Sequence, residues 1–129
     1  MTSLPSLLGA LMAILQAHPL CSNVRVIETQ EFSPKQFFFK IRTNLPEKYK
    51  LQVRLYFNQD HIDYAYQLFS DVPLLRWDNK EEFDYLESYP HHYHDELGNV
   101  KASPLQGDPV KDIELVLQKV SAFLSRERT

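Results

Sequence analysis

The sequence predicts an α+β fold, with one antiparallel sheet of four to six strands, an N-terminal helix and a C-terminal helix, in a single domain over residues 1–129. Three observations lead there. Leucines at helical spacing open the chain, period-two alternation broken by short turns fills its middle, and a second helical stripe follows an Asp-Pro pair near its end. With 129 residues, 43% apolar and 24% charged, the chain can bury on the order of two thirds of its unfolded surface, so it needs no disulfide or structural metal to hold a core.

Leu4, Leu7, Leu8, Leu11 and Leu15 share one helical stripe, with Ser3 as cap, Pro5 tolerated in the first turn and Pro19 closing the segment. No Lys or Arg precedes the apolar run from Leu7 to Leu15 and no small-x-small site follows it. The run is also too short to span a bilayer, so it reads as a packed helix rather than a leader or a membrane segment. Val24 and Val26 mark a first strand, and Phe37, Phe39 and Ile41 alternate with Phe38, Lys40 and Arg42 in a second. Leu51, Val53, Leu55 and Phe57 lie on one face of a third, opposite Gln52, Arg54 and Tyr56. His61 to Phe69 makes a fourth with Ile62, Tyr64, Tyr66 and Leu68 on one side, and Leu74 to Trp77 offers a fifth. Asn44, Pro46, Asn58 and Asp60 break the runs, and connections this short join antiparallel neighbours. Residues 78 to 107 show no sustained period and read as a long polar loop. Asp108 as N-cap and Pro109 in the first turn then start a helix whose stripe is Ile113, Val116, Leu117, Val120 and Leu124. Two helices can cover one face of such a sheet and leave the other to solvent or a ligand.

Composition narrows the function classes. There are three glycines, and neither GxGxxG nor GxxxxGK[ST] occurs, which argues against the common nucleotide-binding folds. The lone Cys21 has no partner in the chain, fits a reducing cytoplasm and reads as a small buried hydrophobe. The net charge of −3 conceals an asymmetry: Ser33 to Leu55 carries six basic residues against the single Glu47, whereas Asp78 to Glu96 carries seven acids against Lys80. A molecule charged this way can hold a polyanion on one side without binding every duplex it meets, although a solvated strand face gives the same pattern.

The segment Tyr89-Pro90-His91-His92-Tyr93-His94 places three of the chain's five histidines within four positions. Imidazoles beside a carboxylate and an arginine can do acid/base work on a phosphodiester. Alternatively, in extended chain His92 and His94 point to one side, where Asp95 or Asp78 could add oxygen to a zinc, manganese or nickel site. Hydrogen bonding within a polar loop is the third reading. Upstream, Arg76 and Asp78 would share a face and pair, leaving Asp78 to orient a histidine and Arg76 to meet phosphate. Trp77 would anchor the strand end, and Asp78-Asn79 would start a turn.

The basic and aromatic strands from Phe37, then Asp63-Tyr64-Ala65-Tyr66, then Arg76-Trp77-Asp78-Asn79, Pro90-His91-His92-x-His94 and a closing helix together resemble the TumE-like toxin family. The resemblance covers nearly all the chain beyond the first helix. Where the family pattern carries a further histidine pair soon after RWDN, this chain continues Lys80-Glu81-Glu82-Phe83. The resemblance implies a small cytoplasmic toxin with ribonuclease-type activity, silenced by a helix-turn-helix antitoxin.

Residue chemistry and resemblance together give a concrete expectation. His91, His92, His94, Asp78, Arg54, Arg76 and Tyr64 form the catalytic set, in which histidine or Tyr64 moves protons and the guanidiniums hold the phosphorane. Arg42, Tyr56, Tyr66 and Trp77 bind substrate, the aromatic rings stacking splayed bases. No cofactor is called for; the expected partners are RNA, the antitoxin and a second copy of the chain, with no membrane. The rival readings are a catalytically inactive interaction module and a metal-dependent hydrolase, the latter with His92, His94 and Asp95 as ligands.

Overall fold

The computed structural model describes residues 2–127. Helix α1 (Leu4–Ala17) is followed by seven strands, β1 (Ser22–Ser33), β2 (Gln36–Asn44), β3 (Lys50–Asn58), β4 (His61–Phe69), β5 (Pro73–Asp78), β6 (His92–His94) and β7 (Val100–Ala102), and then by helix α2 (Pro109–Glu127). All seven strands join one antiparallel sheet in chain order. The α+β class is as expected, but seven strands replace the expected four to six. The two extra strands come from residues 78 to 107, read as loop because a three-residue strand is too short to display a period.

Both helices start as their sequences dictate. The Ser3 hydroxyl accepts the Ser6 N–H at 3.2 Å while the Ser6 hydroxyl accepts the Ser3 N–H at 3.0 Å, a reciprocal capping box. Leu7, Leu11 and Leu15 are buried from α1, and Ile113, Val116, Leu117, Val120, Phe123 and Leu124 from α2. At the start of α2, Asp108 gives its backbone carbonyl to the Asp112 N–H at 2.7 Å. The side chain that satisfies the entering backbone is Asp112, whose two oxygens accept the N–H groups of Gln106 and Gly107 at 3.1 and 2.8 Å.

Strand alternation sorts the sheet into two faces. The buried face carries Phe39, Leu55 and Tyr64 in one row and Ile41, Val53, Tyr66, Trp77 and Tyr93 in the next, all in the core shared with the helices. Among the described residues no helix lies over the opposite face. There, directly paired residues line up as Glu28, Lys40, Arg54, Ala65, Asp78 and His92, with Arg42, Gln52, Gln67, Arg76 and His94 in the adjoining row. Among the described residues no helix is long and apolar enough to cross a membrane.

Candidate active site on the open face of the sheet

Asp78 organises this face. It ends β5, directly opposite Ala65 on β4 and His92 on β6, and is 7% exposed. Its Oδ2 accepts Arg76 Nε–H at 2.8 Å, as expected for two residues one alternation apart on a strand. Its Oδ1 accepts the Lys80 N–H at 3.1 Å, the turn-starting bond read from Asp78-Asn79. Two imidazoles converge on the same carboxylate, with His92 Nε2 at 2.8 Å from Oδ1 and His94 Nε2 at 3.8 Å from Oδ2.

The two rings differ in access. His94 keeps about a third of its side chain exposed, whereas His92 is 1% exposed. Phe83, the lone phenylalanine of the acidic segment, lays its ring edge-on against both, at centroid distances of 4.7 Å to His92 and 5.9 Å to His94. Nothing in a run such as Lys80-Glu81-Glu82-Phe83 announces that role, because only a folded loop brings it over the strand. Burial holds the His94 ring below the ordinary histidine range, against the pull of Asp78.

Beside Asp78 opens a cleft of about 320 Å³ lined by Arg54, Asp63, Tyr64, Ala65, Arg76, Asp78, Asn79 and Lys80. Its existence depends on Ala65, a methyl group standing in the row between Arg54 and Asp78 where any longer side chain would fill the space. Arg54 is exposed and its guanidinium lies 5.2 Å from the Phe38 ring centroid; among the described residues no carboxylate pairs with it. Phe38, Tyr56 and Asp63 form the next row along. Ala65 drew no functional expectation beyond its place in Asp63-Tyr64-Ala65-Tyr66, and its one further signal was a small residue in an otherwise large-residue strand.

The expected site residues therefore separate. Arg54, Arg76, Asp78, His92 and His94 share the open face, and Tyr56 lies along it with its hydroxyl accepting Gln36 Nε2–H at 2.6 Å. Arg42 is on this face too, but with two strands between it and Arg76, and engaged by Gln52 Oε1 at 2.6 and 3.2 Å. Tyr66 and Trp77, expected to bind substrate, are sealed in the core at 0% and 2% exposure because alternation points them toward the helices. Tyr64 also turns to the helix-covered face, where its hydroxyl meets His91 Nδ1 at 2.8 Å and their rings stack, so this pair is set apart from His92 and His94. Burial, with Asp112 and Asp78 nearby, pushes the Tyr64 hydroxyl far above its ordinary value. Asp95 does not join the imidazoles either. It is bound by Lys101 at 2.9 Å and by the turn N–H groups of Leu97 and Asn99, a setting in which Lys101 first and those donors next hold its carboxyl down to about 2.

An open antiparallel meander with a carboxylate, two imidazoles and a guanidinium gathered at the end of its fifth strand defines a compact α+β protein with a polar, cationic work surface. The sequence model of the family described as Toxin TumE matches residues 11–128, and the chain belongs to this toxin family. No curated protein and no solved structure matches the chain significantly.

Proposed function

We propose that this toxin acts by cleaving RNA in the cleft between Arg54 and Asp78. One observation carries the reading: the Arg54 guanidinium stands across a hollow floored by Ala65 from Asp78, which binds Arg76 and has two imidazoles beside it, on a face open to a long ligand. Guanidinium forks match phosphate oxygens, and Phe38 and Tyr56 beside Arg54 offer surfaces for unstacked bases.

In the reaction this supports, the 2′-oxygen of a ribose attacks the adjacent phosphorus and the bond from phosphorus to the 5′-oxygen breaks. A 2′,3′-cyclic phosphate and a 5′-hydroxyl result. The 2′-hydroxyl proton leaves to the Asp78 cluster, and the departing 5′-oxygen takes a proton from water in the open cleft. Arg54 and Arg76 stabilise the charge that builds on the phosphoryl oxygens. Histidine acid/base catalysis in its simple form needs two accessible rings. Of the two rings beside Asp78 His94 is accessible, whereas His92, at 1% exposure, is closed to substrate, so the proton acceptor is assigned to the cluster and not to a histidine pair. The partner that silences such a toxin is proposed to be a small helix-turn-helix antitoxin.

The test is cleavage of single-stranded RNA by the purified chain, paired with growth arrest on its expression. Cyclic phosphate ends should form, and Arg54→Ala, an exposed position that leaves the fold intact, should slow cleavage by about 10²-fold. Growth arrest by a chain that leaves RNA intact would instead establish toxicity by binding alone.

A further inference from the structure

We infer that Asp78, His92 and His94 form a site for a divalent transition-metal ion of the zinc class. The inference deepens the reading of the cleft, since it says how the Asp78 cluster handles protons and charge, but it rests on a separate observation about His92.

The Nδ1 atom of His92 lies 3.2 Å from the carbonyl oxygen of Pro90. A carbonyl can only accept, so Nδ1 carries the hydrogen, and in a neutral ring Nε2 is left with a bare lone pair. That lone pair is sealed from water, and Nε2 has no hydrogen-bond partner despite standing 2.8 Å from Asp78 Oδ1. Two acceptor atoms this close, both withdrawn from water, repel one another unless a cation joins them. No hydrogen bond aligns between Nε2 and Oδ1 even at this separation. Metal ligation accounts for the misalignment. In a tetrahedral site the nitrogen lone pair and the carboxylate oxygen both aim at the metal, not at each other.

The remaining geometry agrees. The ligand atoms of Asp78, His92 and His94 all lie within 4.8 Å of one another. Bonds of about 2.0–2.2 Å from a tetrahedral zinc place its ligands roughly 3.3 Å apart, a value bracketed by the 2.8 Å from His92 Nε2 to Asp78 Oδ1 and the 4.8 Å bound on the three ligand atoms. The Pro90 carbonyl on Nδ1 and the Arg76 guanidinium on Asp78 Oδ2 are outer partners of the kind that fix a ligand's tautomer and direction. Three protein ligands leave one tetrahedral position for water or a substrate oxygen, and a bound cation there would polarise a phosphoryl oxygen and acidify a coordinated water.

Untagged wild-type protein, stripped with chelator, is titrated with Co2+ followed by visible absorption and with Zn2+ followed by calorimetry and by thermal unfolding. One equivalent per chain should bind, with the intense visible band of tetrahedral cobalt and a rise in unfolding temperature. His94→Ala, at a partly exposed position that leaves the core untouched, should weaken binding at least as much as losing an outer partner does, by about 10–100-fold. Absence of binding by the wild type, or wild-type affinity retained in both His94→Ala and Asp78→Ala, overturns the metal site. RNA cleavage persisting in metal-free protein would leave the nuclease reading standing without it, whereas metal binding by a chain that leaves RNA intact would separate the two the other way.

Discussion

The side chain of Asn79 continues the ladder between β4 and β5 after the backbone pairing has ended, its Oδ1 accepting the Tyr64 N–H at 3.0 Å while its Nδ2–H donates to the Ile62 carbonyl at 2.7 Å. An amide side chain thus does the work of one more strand residue. The consequence reaches the site, because Asn79 pins the strand end one residue beyond Asp78. Asn79→Ala should cost about 1–3 kcal/mol of stability, since it leaves a buried Tyr64 N–H unsatisfied. Chemical denaturation measures this, and a cost under half a kcal/mol would show that the ladder closes without the amide.

Ala65 is the floor of the cleft and has Arg54 and Asp78 as its neighbours across β3 and β5. Ala65→Val suits a strand and should leave the unfolding midpoint nearly unchanged, while its added methyls fill the hollow. RNA cleavage should fall by about tenfold or more if a phosphate must enter there. Unchanged cleavage by the folded variant would place the reaction elsewhere.

Tyr64 and His91 form their hydrogen bond on the helix-covered face, away from Arg54 and His94. Tyr64→Phe removes one buried hydroxyl and should lower stability by about 0.5–1.5 kcal/mol. Cleavage at saturating RNA should be retained. A steep loss of turnover in a variant of near-native stability would return Tyr64 to the chemistry.

Asp112 ties the chain before α2 to the helix by accepting two backbone N–H groups, and Asp112→Ala should cost about 1–3 kcal/mol by stranding them. The pH dependence has a defined sign. Burial raises the Asp112 carboxyl above its ordinary value, outweighing the two N–H donors, so the folded state binds the proton more tightly than the unfolded chain. Its contribution to stability is therefore full below the ordinary carboxylate range near pH 4 and is lost as pH rises through the higher folded value. Denaturation of Asp112→Asn across that window should show a flatter profile than wild type, and an identical slope would remove Asp112 from the linkage.

Much of the fold was legible because its signals are local. The leucine stripe with Ser3 ahead of it, the alternation from Phe37 to Phe69 and the Asp108-Pro109 start of α2 each depend on residues a few positions apart. The same alternation correctly put Leu51, Val53 and Leu55 opposite Arg54. The side of the sheet on which β4 meets its ligand was open to the opposite reading: Tyr64 was expected in proton transfer and Tyr66 as a stacking surface, yet both face the helices, and Asp63 and Ala65, quoted only for the resemblance, face the cleft. Chemistry by residue type favoured the large aromatic over the small residue that makes room.

The amino-acid sequence by itself determined the two helices and the first five strands, the pairing of Arg76 with Asp78 and the common direction of His92 and His94, since each follows from backbone periodicity within one segment. Tertiary structure decided that β6 pairs with β5, so that Asp78, fourteen residues earlier in the chain than His92, becomes its direct neighbour while Asp95 turns away to Lys101. It also decided that Phe83 closes over the imidazoles and that one ring nitrogen is left facing a carboxylate without water. Register across a sheet is a property of the whole assembled core, and the distances that govern a charge, a lone pair or a metal ion exist only once that core has formed.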